Sequence, residues 1–234
     1  MVKLYFGLPG AGKSTVLTKI VYKHLKARRS PYKYILSNVA LGNLPPFDKV
    51  TIFDPNDIGK YDYSDSLIVI DEASLYFDSR SYKTFRKDTI AYFLMHRHHN
   101  NDFILATQQW DAVDKKIRVI TDRVYYIYKG KWLGSWFSNY YRVPYDIIIP
   151  DPKKGVGDKL GDIVQGYAKP PFLFRLFCHR VYRPKYYKYF DSFDRLKLPQ
   201  PPHPMVLVHS PIQKKFSFIR RKKDNIPPPP VQSV

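Results

Sequence analysis

Glutamate is nearly absent from this chain of 234 residues: Glu72 is the only one, and the other 19 acids are aspartates. Cysteine is as scarce. Cys178 stands alone, which excludes an internal disulfide framework and suits a reducing compartment. No apolar run approaches the roughly 18 residues that a bilayer-spanning helix needs. No secretory leader is expected, because the chain enters a strand and a glycine-rich turn at once. Negative charge is short overall: 20 acids face 39 Lys and Arg, a formal net charge of +19. That excess points to an anionic partner, nucleic acid or an acidic membrane face, and not to any fold. What the chain does have is an apolar fraction of 44%, enough for a core, and an aromatic fraction of 16% with 20 tyrosines.

The strongest pattern lies near the start. "GLPGAGKST", Gly7 to Thr15, fits G-x-x-x-x-G-K-[ST]. "VKLYF" before it reads as a buried strand, and Val16, Ile20, Val21, His24 and Leu25 after it recur at helical spacing. Strand, glycine turn and helix make a phosphate cradle, because backbone N–H groups and the positive end of the helix dipole converge on one spot. Gly7, Pro9, Gly10, Ala11, Gly12, Lys13, Ser14 and Thr15 are the expected nucleotide-binding residues. Lys13 would contact the β- and γ-phosphates and the Ser14 hydroxyl would bind Mg²⁺. The chain therefore reads as an α/β P-loop protein with a mostly parallel central sheet.

The lone glutamate falls in a telling place. "DSLIVIDEAS", Asp65 to Ser74, is a buried-strand pattern ending in Asp71 and Glu72. Open α/β sheets gather their ligands at the carboxyl ends of strands. Asp71 is placed to hold the Mg²⁺, and Glu72 to polarise an attacking water. A guanine-reading N-K-x-D is absent from the sequence. A water-activating carboxylate favours hydrolysis of ATP over transfer of phosphate to a substrate, so an ATPase is expected.

A helix is predicted over Thr89–His99 and a second buried strand over Asp102–Thr107, ending at Gln108. A polar side chain there could sense the γ-phosphate; Gln108 is the first choice and Thr107 the reserve. Arg97, at the carboxyl end of the predicted helix, is a candidate arginine finger for a neighbouring subunit, with Arg118 and Arg123 as competitors. "HRHH" offers ligand types, but His96, His98 and His99 are not spaced to converge on a metal.

The order "GLPGAGKST", "ILSNVAL", "LIVIDEASLYFDSR", "HRHHNNDFILATQQ", "IRVITDRVYYIYK" resembles the Zot family, across roughly residues 2–130. These zonula occludens toxin-like proteins include the assembly ATPase of filamentous phages and belong to the FtsK/HerA-type motor superfamily. The resemblance implies a RecA-like core, ATP as nucleotide, a ring of identical subunits, and handling of a phage or viral DNA genome during assembly or export. It also implies the roles given above to Lys13, Ser14, Asp71 and Glu72, with Arg97 and Gln108 as trans finger and sensor. Filamentous-phage members continue into a transmembrane helix that is not found here. That difference raises the standing of genome packaging; the expectation is a motor for packaging or export, with peripheral extrusion through a separate membrane partner as the alternative. The site of action would be the host cytoplasm, at a capsid or peripheral to the inner membrane, beside capsid or membrane assembly proteins.

Charge and proline divide the chain. Residues 1–150 hold 22 Lys and Arg against 14 acids, and residues 151–234 hold 17 against 6. This suggests an ATPase core over 1–150, a basic, aromatic-rich extension over 151–225 and a proline-rich tail over 226–234, for which "PPPP" suggests polyproline II or disorder. In "FLFRLFCHRVYRPKYYKYFDSF" cations alternate with aromatic rings, a mixture that suits phosphates and exposed bases. Arg175, Arg180, Arg183, Lys185 and Lys188 are the nucleic-acid candidates, with Tyr186 and Tyr187. Two other classes stay open: a small-molecule or nucleotide kinase, and a nucleotide-gated membrane or protein adaptor.

Overall fold

β1 (Val2–Phe6) sits inside a sheet and is flanked on both sides by parallel partners. Its residues divide by period 2: Leu4 and Phe6 enter one apolar cluster and Tyr5 the other. β4 (Ser66–Ile70) and β5 (Asp102–Thr107) do the same, with Ile68, Ile70, Phe103 and Leu105 on the first face and Leu67, Val69, Ile104 and Ala106 on the second. Strands buried on both faces need continuous apolar runs, which is why SLIVI and DFILAT lack polar alternation.

The computed structural model describes residues 1–39, 46–81, 87–129, 136–143 and 178–189. The other strands among them are β2 (Tyr34–Ser37), β3 (Thr51–Ile52), β6 (Arg123–Lys129), β7 (Phe137–Val143) and β8 (His179–Tyr182). The sheet order is β3-β2-β4-β5-β1-β6-β7-β8. Pairing is parallel from β3 to β6 and antiparallel from β6 to β8. The expected α/β sheet, mostly parallel, is present.

Helices cover both faces. α1 (Lys13–Lys26) puts Val16, Leu17 and Val21 on the second cluster. α2 (Lys87–Leu94) and α3 (Lys115–Val119) bring Tyr92, Phe93 and Ile117 to the first. α2 stops at Leu94, short of the predicted His99. The chain leaves the helix through a turn in which Asn100 takes a positive φ of 53° and the Asn101 N–H closes on the His96 carbonyl at 2.8 Å. Asparagine tolerates that left-handed conformation, which suits it to closing the turn that precedes β5. Two of the three histidines go to local work: His96 Nδ1 lies 2.7 Å from the Phe93 carbonyl, and His99 stacks on Tyr92.

One compact unit spans Met1–Asp194. β8 lies inside the stretch expected to be an extension, yet it is hydrogen-bonded into the same sheet through β7. After β8, Tyr186 and Tyr189 pack on α1 through Tyr22, with ring centroids 6.0 Å apart in both pairs. Burial of these two tyrosines ties the segment to the core, while Tyr182 and Tyr187 remain exposed. Residues 144–177 and 190–234, including Arg175 and the proline-rich tail, lie outside the described residues. No described helix is long and apolar enough to cross a membrane.

Candidate active site

Register brings four strand ends level. Phe6 pairs with Thr107, Ile70 with Leu105 and Ser37 with Val69. The residues that follow are Gly7, Gln108, Asp71 and Asn38, so all four gather at one edge of the sheet. This is the carboxyl edge, where the chain turns from β1 into α1.

The loop itself is shaped by close approach. A Cβ on Gly7 would overlap the carbonyl of Ile127 on β6, and one on Gly12 would overlap the Ser138 hydroxyl on β7. Gly12 also has φ 97°, a left-handed value that disfavours any side chain. It is the N-cap of α1 but supplies no side-chain cap, and the first turn of α1 carries no acidic residue. The first N–H groups of a helix have no intrahelical acceptor and so remain suited to an anion. At the other end Lys23, His24 and Lys26 complement the dipole.

Lys13 is only 6% exposed, and its ammonium donates to the Gly7 carbonyl at 3.1 Å. It also lies 3.8 Å from the Glu72 carboxylate. Gln108 donates to the same Glu72 oxygen at 3.2 Å. The Ser14 hydroxyl donates to Asp71 Oδ2 at 2.6 Å, while Asp71 Oδ1 accepts the Glu72 N–H at 3.0 Å. Lys13, Ser14, Asp71, Glu72 and Gln108 are thus brought together as the sequence suggested. Thr107, the reserve sensor, is fully buried and donates to the Gln109 carbonyl at 3.1 Å.

Glu72 has φ 49° and ψ 52°. A non-glycine residue in the left-handed region is strained, and such strain is tolerated where the surroundings fix a functional side chain. Asn38 was missed by sequence reasoning. Its amide donates to the Asp71 carbonyl at 2.9 Å and its oxygen accepts the Asp71 N–H at 2.8 Å. Its signal was its place in "ILSNVAL", two residues after the apolar run "YIL".

The arginines stand elsewhere. Arg97, 76% exposed, pairs with Asp122 at 3.2 Å. Asp122 accepts the Val2 N–H at 2.7 Å. Val2 starts β1, so this pair marks the edge opposite the loop. Arg123 is in register with Lys3 near that edge. Arg118 pairs with Asp111 at 3.1 Å and lies over the Trp110 ring.

The nucleic-acid candidates separate. Lys185 and Lys188 are exposed, Lys185 lying over Tyr22 and Tyr186, and Lys188 over Tyr189. Arg180 lies over Phe137 and donates to Asn139 at 3.3 Å. Arg183 departs from the expected surface position: it is only 8% exposed, its guanidinium spent on backbone carbonyls of the P-loop. Lys19, Lys23 and Lys26 of α1 extend the cationic face, and they too escaped the sequence reading. Burial, then Lys23 and Lys185, lower the Lys19 pKa, as expected where like charges share a surface.

Sheet order, P-loop and acidic strand end together define a RecA-like P-loop NTPase fold. The family profile described as Zonular occludens toxin (Zot) matches residues 46–177. That is more than half of the chain, and the protein belongs to the Zot family. The fold agrees with the N-terminal domain of zonular occludens toxin from Neisseria meningitidis, which has a TM-score of 0.51 at 15% identity and covers 81% of this chain and 98% of that one. The genome packaging NTPase B204 from Sulfolobus turreted icosahedral virus 2, in complex with ATP-gammaS, is more distant. It has a TM-score of 0.44 at 17% identity and covers 61% and 92%. The flagellar accessory protein FlaH from Methanocaldococcus jannaschii has 0.43 at 12%, covering 62% and 78%. No curated protein matches the sequence.

Proposed function

We propose that this Zot-family protein hydrolyses ATP and uses the energy to move a phage or viral DNA genome during virion assembly, as a ring of identical subunits. The observation that carries the reading is the position of Glu72, whose carboxylate is contacted by Lys13 at 3.8 Å and Gln108 at 3.2 Å beside the metal-type pair Ser14–Asp71. A kinase needs no such carboxylate next to its phosphate cradle. In this reading Lys13 turns from Glu72 to the phosphates, which frees the carboxylate to take a proton from water. Gln108, already bonded to Glu72, moves with it and so senses whether a γ-phosphate is present. Ser14 and Asp71 offer hard oxygen donors 2.6 Å apart, a donor set that suits Mg²⁺. When bound, the ion would neutralise charge on the β- and γ-phosphates.

The DNA part rests on charge. Lys185 and Lys188 next to exposed Tyr187, with Lys19, Lys23 and Lys26 beside them, join cations to aromatic rings. The same face supports a second reading, extrusion at the inner membrane of the host with a separate membrane partner, because clustered lysines also bind acidic lipid. Arg97 remains the proposed trans finger, contributed from the far edge of one subunit to the P-loop of the next.

Phosphate release from ATP, measured alone and with single- or double-stranded DNA, tests the proposal. Stimulation by DNA that disappears in Glu72→Gln supports a genome motor. Release that is slow and indifferent to DNA refutes it and moves the basic face to a membrane or protein partner.

A further inference from the structure

The P-loop is gripped from behind by a residue far along the chain. Arg183 follows β8 directly, yet its Nη2 donates to the carbonyls of Gly10 at 3.1 Å and Ala11 at 2.6 Å. Its Nε donates to Ser138 Oγ at 2.7 Å, and that hydroxyl in turn donates to the Ala11 carbonyl at 2.9 Å. Ala11 C=O is therefore held by two side chains at once. Gly12 passes so close that a Cβ would lie 3.0 Å from Arg183 Nη2.

Guanidinium stays charged at every accessible pH. A buried charge is costly unless paired or hydrogen-bonded. Among the described residues no carboxylate forms an ion pair with Arg183; its partners are carbonyl and hydroxyl oxygens. Lys13, by contrast, has Glu72. The loop thus carries a buried positive charge on its outer side, whose compensation by dipoles alone leaves net attraction for an anion in the cradle.

Geometry fixes what that grip does. In a planar trans peptide the C=O and the following N–H point in opposite directions. Holding Ala11 C=O outward, towards Arg183, turns the Gly12 N–H inward, towards the cradle. Gly12 is also the left-handed residue on which the turn into α1 depends. We propose that Arg183, with Ser138, is a positioning residue for nucleotide phosphate: it sets the Gly12 N–H and adds a fixed cation behind the loop. The proposal rests on the reading that the P-loop binds ATP. It also links the chain's basic segment to the nucleotide site, since exposed Lys185 and Lys188 lie two and five residues beyond Arg183.

The test is binding of fluorescent N-methylanthraniloyl ATP and ADP to the full chain, with thermal unfolding and steady-state ATP turnover, for wild type, Arg183→Gln, Arg183→Lys and Ser138→Ala. A lost hydrogen bond to a charged group predicts about tenfold to a hundredfold weaker binding of both nucleotides to Arg183→Gln. Arg183→Lys, which keeps the charge but not the fork, falls between it and wild type. KM rises while kcat stays within about twofold, the signature of an interaction made equally in ground and transition states. A residue that merely tied β8 down would lower folded protein and apparent kcat and leave KM unchanged, which overturns the proposal. If Arg183→Gln does not fold, Ser138→Ala decides: about threefold weaker binding supports the assignment, and unchanged binding overturns it. Wild type that binds neither nucleotide overturns the P-loop reading and this inference together. Wild type that binds, beside Arg183 variants that bind equally well, overturns this inference alone.

Discussion

Asn38 and Asp71 are locked to one another by two hydrogen bonds, the Asn38 amide to the Asp71 carbonyl at 2.9 Å and the Asp71 N–H to the Asn38 oxygen at 2.8 Å. The pair crosses from the end of β2 to the end of β4. It uses both backbone groups of Asp71, so the side chain is left to meet Ser14 and the backbone is fixed as the chain bends into the left-handed Glu72. Asn38→Ala should therefore lose turnover by about tenfold or more while Kd for nucleotide changes little. Stability should fall by about 1–3 kcal/mol, the cost of leaving partly buried backbone groups unpaired. Urea unfolding and phosphate release on the same preparation check both. Unchanged turnover would remove Asn38 from the site.

Lys13 and Glu72 should separate binding from chemistry. Lys13→Ala is expected to lose nucleotide binding. Glu72→Gln should bind ATP and lose roughly 10²–10⁴ in turnover, the range ascribed to a general base. Equilibrium binding followed by single-turnover hydrolysis reads each effect by itself. Normal turnover in Glu72→Gln would show that another group activates the water.

Arg97 sets two magnitudes against each other. An exposed ion pair such as Arg97–Asp122 is worth at most about 1 kcal/mol. An arginine finger is worth about 10³–10⁵ in turnover. Arg97→Ala should cut ATP turnover on the order of a thousandfold with affinity nearly intact, if the residue acts in trans. A small loss of stability with full turnover would confine it to Asp122.

Stability should depend on pH through His96. Its Nδ1 faces the Phe93 carbonyl, which can only accept, so Nδ1 carries the proton of the neutral ring. Nε2 is buried without a hydrogen-bond partner. Burial lowers the His96 pKa below the ordinary 6.5, and burial with Lys3 and Lys23 lowers that of His24. Below about pH 6.5 the unfolded chain then binds protons that the folded chain refuses, so stability falls as pH drops through that window. Urea midpoints should decrease from about pH 7.5 to 5.5, and His96→Asn, which keeps a donor but does not titrate, should flatten part of the slope. A flat wild-type profile would contradict the assignment.

Much of the site was legible in the sequence because it is local. Gly7 to Thr15 and Asp71–Glu72 are short runs whose chemistry depends on neighbours within a few residues. Strand β5 was read at its full length for the same reason, since an apolar run buried on both faces needs no knowledge of what covers it. Helix α2 ends before the expected His99 because the chain tightens after Leu94, where the His96 N–H bonds to the Phe93 carbonyl and the His98 N–H to the Met95 carbonyl, three residues back instead of four. Tyr186, a base-stacking candidate by sequence, packs on α1 instead, as does Tyr189. An aromatic ring next to lysines looks the same in sequence whether it faces solvent or core.

The sequence by itself determined the P-loop, the acidic strand end and the α/β class, since each rests on local spacing and on period-2 burial. Tertiary structure alone decided that Asn38 braces Asp71, that Gln108 meets Glu72, and that Arg97 sits at the edge opposite the loop. It also decided that Arg183 turns inward to Ala11 across 172 positions of sequence. The reason is strand order. β1 lies between β5 and β6, and β7 and β8 fold back beside them. Which side chains meet at the loop therefore depends on register between distant strands, and no local pattern of residues encodes that register.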